Sequence, residues 1–258
     1  MKNSKIEKLA ENLVKAFVNN KIIPPIPTKY TKNMREAEKF RRLCENKVKQ
    51  PVVGFKAAGT GIPVLKKLGE KEPFYASIFK KNVLKSGKSV RINDYTLGVE
   101  LEVGYKVKKN FFQTKGLINF KNIHKHISHM MPSIEVVGYR QKKKGIKFLG
   151  DLCSDFGANV KFIIGKKIKY KRINFGKLKS IIENKKIKQL VNGHTNTVYI
   201  NPLNSLKFVL NKLKKDKIIL NKDFYVFTGS TIGVAPILAK GIYQGKIEKI
   251  GTVKTKII

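Results

Sequence analysis

The 258-residue chain has no tryptophan, two cysteines, and 17 acidic residues against 55 basic ones, a formal net charge of +38. Cys44 and Cys153 form no CxxC pair. They read as buried or incidental thiols of a reducing compartment. No uncharged apolar run approaches the roughly 18 residues of a membrane span. The amino end, MKNSKIEKLAENLVKAF, mixes charge throughout instead of showing the apolar stretch of a signal peptide. A cytoplasmic location is the expectation. Arginine is scarce as well: six of the basic residues are arginine and 49 are lysine. Arginine makes the bidentate contacts to phosphates and base edges, so its shortage argues against a dedicated nucleic-acid binder. The lysines are spread along the whole chain among many Ile and Asn, as an AT-rich genome would write on any neutral surface. Such charge speaks to solubility and non-specific association rather than fold. It predicts weak, salt-sensitive adhesion to nucleic acid.

At 41% hydrophobic residues, the chain is long enough to bury a real core. Ser4 and Glu7 have capping-box spacing. Ile6, Leu9, Ala10, Leu13, Val14 and Phe17 then recur with the period of a helix. The prolines of KIIPPIPTKY break it. A second helix is predicted over about 33–46, with Met34, Ala37, Phe40, Leu43 and Cys44 on one face. After Pro51 the pattern turns to strands: VVGFKA, LGVELEVGYKV, PSIEVVGYR, DFYVFTGS and GTVKTKII. NPLNSLKFVLNKLKK interrupts them as an amphipathic helix.

The scarce acid is placed unusually. In LGVELEVGYKV, Leu97, Val99, Leu101, Val103, Tyr105 and Val107 alternate with Gly98, Glu100, Glu102, Gly104 and Lys106. Residues two apart on a strand share a face, so Glu100 and Glu102 project together. Two unpaired carboxylates there repel, and one must take a proton unless a cation intervenes. Taken alone, such a pair is also what a solvated sheet face paired with lysines would show. A third carboxylate, Glu135, lies inside the apolar strand SIEVV. Three carboxylates on neighbouring strands make an oxygen-rich site suited to Mg²⁺ or Mn²⁺.

The chain resembles the fumarylacetoacetate hydrolase superfamily, in its 2-keto-4-pentenoate hydratase and 2-oxo acid decarboxylase branch. The pieces that carry the resemblance run in order as VVGFKAAGTGIPVLKKLG, EPFYASIF, GVELEVGY, MPSIEVVGYR, GDLCSDFGANVKFIIG, LVNG, NPLNSLKFVLNKL and DFYVFTGSTIGVAPILAKG with IEKIGTVKTKI. They cover essentially the full chain. The resemblance implies an α+β fold. A helical region over 1–50 would precede a β-rich hydratase-type catalytic domain over 51–258, whose mixed, mostly antiparallel sheets form a sandwich or roll. It implies metal ligation by Glu100, Glu102 and Glu135, and a catalytic lysine at Lys56. It puts Asp155, Asn159, Ser230 and Thr231 near the substrate. The implied activity is a divalent-metal-dependent lyase adding water to an unsaturated 2-oxo acid such as 2-oxopent-4-enoate, through an enolate that the metal stabilises. A decarboxylase with the same metal site, or a basic nucleic-acid-binding protein without catalysis, are the alternatives. A homo-oligomer is implied. A lysine beside a metal can have a lowered pKa, which suits proton shuttling.

The chain departs from the family pattern at Lys80 and Lys81, at Gly157 and Ala158, and at Ile242 after Gly241. His124, His126 and His129 read as surface histidines rather than ligands, and His194 as a candidate for the pocket mouth. Arg140 could bind substrate or pair with Asp151 or Asp155. Phe74 and Tyr75 read as core. TGSTIG lacks the GxxxxGK[ST] arrangement of a phosphate loop.

Overall fold

Helical spacing of apolar residues builds the amino-terminal layer. The computed structural model describes residues 2–143 and 145–258, with side chains from residue 5 onward. Helix α1 (Lys2–Asn19) buries Ala10, Leu13 and Phe17. It begins ahead of Ser4, whose side chain, and with it the predicted capping box, lies outside the described residues. Helix α2 (Met34–Lys47) is capped by Asn33, whose side chain accepts from the Arg35 amide, and it buries Ala37, Phe40 and Cys44 as the spacing predicts. Three further helices are α3 (Ile62–Lys67), α4 (Leu149–Ser154) and α5 (Pro202–Lys215). The two short ones, α3 and α4, escaped the sequence reading because six residues hold too few turns to show a period.

The strands form two sheets. The larger contains β1 (Val52–Ala58), β2 (Phe74–Phe79), β3 (Val83–Lys85), β5 (Thr96–Val107), β6 (Ile127–Gly138), β7 (Asn159–Ile164), β8 (Ile168–Lys169) and β11 (Phe224–Ser230). Its order is β2-β1-β11-β5-β6-β7-β3, with β8 also on β6. The smaller contains β4 (Ser89–Val90), β9 (Lys179–Asn184), β10 (Gln189–His194), β12 (Gly241–Ile247) and β13 (Gly251–Ile257), in the order β10-β9-β12-β13-β4. Pairing is antiparallel except for β1 with β11, β3 with β7 and β13 with β4. The α+β architecture with mixed, mostly antiparallel sheets is the one the resemblance implies.

One apolar cluster joins Leu101 and Ile134 of the large sheet to Ile182, Tyr243 and Val253 of the small one and to Leu206 and Leu210 of α5. That face of the large sheet is the core of the sandwich. The other face meets the helical layer, where Phe17 stacks on Phe156 with ring centroids 4.2 Å apart. Phe74 and Tyr75 are buried as predicted. Leu97 departs from the predicted alternation. The pairing of β5 with β6 shifts register between Thr96 and Gly98, and beside that irregularity Leu97 is 37% exposed instead of joining Val99 in the core.

Candidate metal centre

Strand alternation sorts β5 into two rows. Val99, Leu101, Val103, Tyr105 and Val107 are fully buried in the sandwich core, which turns Glu100 and Glu102 to the opposite face. The antiparallel register then sets Glu100 opposite Glu135, and Glu102 opposite Ser133. One carboxylate oxygen from each of Glu100, Glu102 and Glu135 lies within 4.8 Å of the others. Glu102 and Glu135 are fully buried, whereas Glu100 is partly open.

Lys56 of β1 reaches the same point. Its Nζ donates to Glu135 Oε1 and, at 3.1 Å, to the carbonyl of Gly157. Phe162, opposite Glu135 in register, lies beneath it, with the ring centroid 5.8 Å from Nζ. Glu102 Oε2 accepts the backbone N–H of Gly229 at 2.8 Å. Glu102 Oε1 and Glu135 Oε2 are buried and have no hydrogen-bond partner among the described residues. Orphaned buried oxygens are costly, and two remedies fit: a proton shared between the carboxyls, or a divalent cation. Three carboxylates with unused oxygens beside a cleft are a donor set suited to Mg²⁺ or Mn²⁺.

The electrostatics agree. Burial, reinforced by Glu135, pushes the Glu100 carboxyl up to about 8. Burial, reinforced by Glu100, pushes Glu102 up to about 7. Burial drives Glu135 well above the ordinary carboxylate range despite the opposing pull of Lys56. Burial acts to lower the Lys56 pKa, but Glu135, Glu100 and Glu102 together outweigh it and raise it. The lowered Lys56 pKa expected beside a metal ion belongs to the loaded site; the neighbouring carboxyls by themselves act in the opposite direction.

Lys56 and Glu100 line a cleft of about 280 Å³ together with Thr60, Thr197, Gly229 and Ser230. A larger groove, about 710 Å³, lies on the small sheet beside Glu183, Lys240, Ile242 and Lys256, far from the carboxylate cluster in the fold. The chemistry places the candidate centre in the smaller cleft.

The structure does not bring every predicted substrate residue there. Ser230 lines the cleft, with its Oγ donating to Gly233 O at 2.7 Å. Thr231 is fully buried, and its Oγ1 donates to Leu101 O at 2.8 Å. Asp155 is fully buried and held by Arg140: Oδ2 accepts the Arg140 amide at 2.8 Å, and Oδ1 the guanidinium at 2.9 Å. Asn159 is fully buried and donates its amide to Phe156 O. Asp155 and Asn159 thus bracket a turn and are not among the residues lining the cleft. In that turn Phe156, Gly157 and Ala158 all have positive φ, 51°, 70° and 56°, and Gly157 and Ala158 line the cleft. The departures Lys80 and Lys81 are exposed on the turn after β2, and Ile242 lies on the small sheet.

Sequence reasoning missed Ser133, whose fully buried Oγ has no partner among the described residues. Its position two residues before Glu135 was the available signal. It also missed Thr60 and Thr197, which carry no local pattern. His126 is buried against Phe111 rather than on the surface as predicted. His124 Nδ1 meets the Tyr170 hydroxyl at 2.6 Å. His194, on β10, is not among the residues lining the cleft.

No family model and no curated protein matches the sequence. Solved structures do match. A 4-oxalocrotonate decarboxylase from Pseudomonas putida G7, complexed with calcium and acetate or with magnesium and adipate, superposes with a TM-score of 0.83 at 18% identity, over 100% of this chain and 99% of that one. A fumarylpyruvate hydrolase from Pseudomonas aeruginosa, in complex with Mn²⁺ and pyruvate, gives 0.56 at 13% identity over 81% of this chain and 91% of that one. A fumarylacetoacetate hydrolase family protein from Yersinia pestis CO92 gives 0.55 at 14% identity over 81% and 95%. The fold is that of the fumarylacetoacetate hydrolase superfamily.

Proposed function

We propose that this protein is a divalent-metal-dependent lyase that adds water to an unsaturated 2-oxo acid. The observation that carries the reading is the convergence of Glu100, Glu102 and Glu135 to within 4.8 Å, with buried oxygens on Glu102 and Glu135 unpartnered. These three residues would hold Mg²⁺ or Mn²⁺, the ions found in the magnesium and manganese complexes of the structural neighbours. When bound, such an ion supplies Lewis acidity toward the carboxylate and keto oxygen of a 2-oxo acid. Lys56 Nζ, charged and tied to Glu135 and the Gly157 carbonyl, carries the proton that converts a dienol to its keto form. The Ser230 hydroxyl borders the cleft and orients substrate.

Decarboxylation of a 2-oxo acid at the same centre is the second reading. The full-length likeness to a decarboxylase, with a TM-score of 0.83, favours it.

Calorimetric titration of Mg²⁺ and Mn²⁺ in the presence of oxalate, an enolate mimic, tests the centre in the wild type and in Glu102→Gln. Metal-dependent oxalate binding that the variant loses is the expected result. Absence of metal binding in both proteins near neutral pH overturns the enzyme reading. Product analysis then separates the two reactions: a hydroxylated 2-oxo acid supports the hydratase, and release of CO₂ the decarboxylase.

A further inference from the structure

Ser133 stands on β6 two residues before Glu135. Residues two apart on a strand share a face, so the serine side chain turns toward the carboxylates. Its neighbouring positions on that face are Met131 and Glu135 along the strand, and Glu102 of β5 and Ile164 of β7 across it. Met131 and Ile164 belong to a buried apolar cluster with Phe162 and Phe227. Hydrocarbon therefore borders Ser133 on one side and carboxylates on the other. The residue is fully buried, and its Oγ has no hydrogen-bond partner among the described residues.

A buried hydroxyl without a partner is costly, and alanine would fill the same place without that cost. The oxygens that could accept from it are those left free on its two polar neighbours. Glu102 has Oε2 held by the Gly229 amide, and Glu135 has Oε1 held by Lys56. Glu102 Oε1 and Glu135 Oε2 have no partner among the described residues. Ionised carboxylates only accept, so the two cannot satisfy each other; a serine hydroxyl can donate. Register fixes the Ser133 Cβ opposite Glu102, and directly opposed Cβ atoms of paired strands lie roughly 4.5–5.5 Å apart. Rotation about χ1 among its staggered wells then suffices to bring Oγ toward that carboxylate.

Resting on the metal-centre reading above, we propose that Ser133 is a positioning residue of that centre, whose hydroxyl donates to Glu102 Oε1 and holds the carboxylate in the orientation that binds a divalent cation. Ser133 acts through Glu102 and is not among the residues lining the cleft. A cation takes up only part of the accepting capacity of each carboxylate, so the hydroxyl and the ion share the ligand rather than compete for it. Hydrogen bonds of this kind fix metal ligands and raise the affinity of the site.

The test pairs two measurements on the wild type and on Ser133→Ala: calorimetric titration with Mg²⁺ and with Mn²⁺, and denaturant unfolding of the metal-free proteins. The two readouts are expected to move in opposite senses. Metal affinity should fall roughly 10–100-fold in the variant, the usual effect of removing a group that orients a ligand. The metal-free variant should unfold at the same denaturant concentration as the wild type or a higher one, because it loses a buried hydroxyl that had no partner. Unchanged affinity for both ions in Ser133→Ala overturns the proposal and leaves the three-carboxylate centre standing. A variant that loses metal affinity and metal-free stability together also overturns it, since the serine would then be supporting the fold and not the ligand. Failure of the wild type to bind either ion overturns the metal centre itself, and the role of Ser133 with it.

Discussion

Gly229 donates its backbone N–H to Glu102 Oε2 over 2.8 Å, although the two residues lie 127 positions apart in the chain. The contact depends on glycine. Gly229 has φ of 100°, and a Cβ there would lie 2.0 Å from Thr60 Oγ1. Gly229→Ala should therefore cost about 1–3 kcal/mol for the backbone conformation alone, with the clash against Thr60 adding to it. Because the amide orients a proposed metal ligand, affinity for Mg²⁺ should fall roughly 10–100-fold. Thermal unfolding and metal titration of the variant check both effects. Unchanged melting and unchanged affinity would show that the amide does not hold Glu102.

The raised carboxyl pKa values carry a pH dependence with a definite sign. Folding takes Glu100 from an ordinary 4.5 to about 8, and Glu102 from 4.5 to about 7. Between about pH 4.5 and 8 the metal-free folded protein thus holds more protons than the unfolded chain, so its stability falls as pH rises through that window. A divalent cation held by the proposed centre would replace those protons and should bind best above that window. Denaturant melts from about pH 5 to 8 should show the metal-free protein weakening, saturating Mg²⁺ reversing the trend, and Glu100→Gln flattening it. A metal-free protein that gains stability over this range, with the same slope in Glu100→Gln, contradicts the shifts.

Lys56→Met separates proton transfer from metal binding. The three carboxylates remain, so metal-dependent oxalate binding should survive. Turnover should fall by about 10²–10⁴, the usual contribution of a positioned acid or base. Full turnover in the variant would remove Lys56 from the chemistry.

Asp155→Asn tests the buried clamp on the strained turn. It removes the charge that Arg140 pairs with at 2.9 Å, where both side chains are buried. Breaking one side of a buried ion pair costs about 3–5 kcal/mol. The double variant Arg140→Met/Asp155→Leu should lose less, because no uncompensated charge remains. Equal losses in chemical denaturation would show that the pair's charge is not what holds the turn.

Much of this protein was legible one residue at a time. Period-2 alternation in LGVELEVGYKV put Glu100 and Glu102 on the face opposite Val99 and Leu101, because a strand leaves its side chains no other choice. Helical spacing located α2 and α5, where an apolar stripe repeats over several turns. The scarcity of acid made Glu135 conspicuous inside an apolar strand. Composition bounded the role of the +38 charge, since a chain with 49 lysines and only six arginines is poor in the planar forks that favour bidentate phosphate and base recognition.

Only the tertiary structure decided the rest. Glu100 faces Glu135 through strand register, and Lys56 reaches Glu135 across a span of 79 residues. Register and chain return are set by the packing of both sheets, and no local pattern encodes them. Asp155 lies in a segment that resembles a substrate-binding motif, yet Arg140 takes its carboxylate, because a buried charge must be satisfied by whatever cation the fold brings near. Leu97 fits the apolar row by alternation, but a register shift leaves it on the rim of the cleft. The sequence determined which residues could bear the chemistry. Their placement at one point, around two unsatisfied carboxylate oxygens, follows from long-range strand pairing.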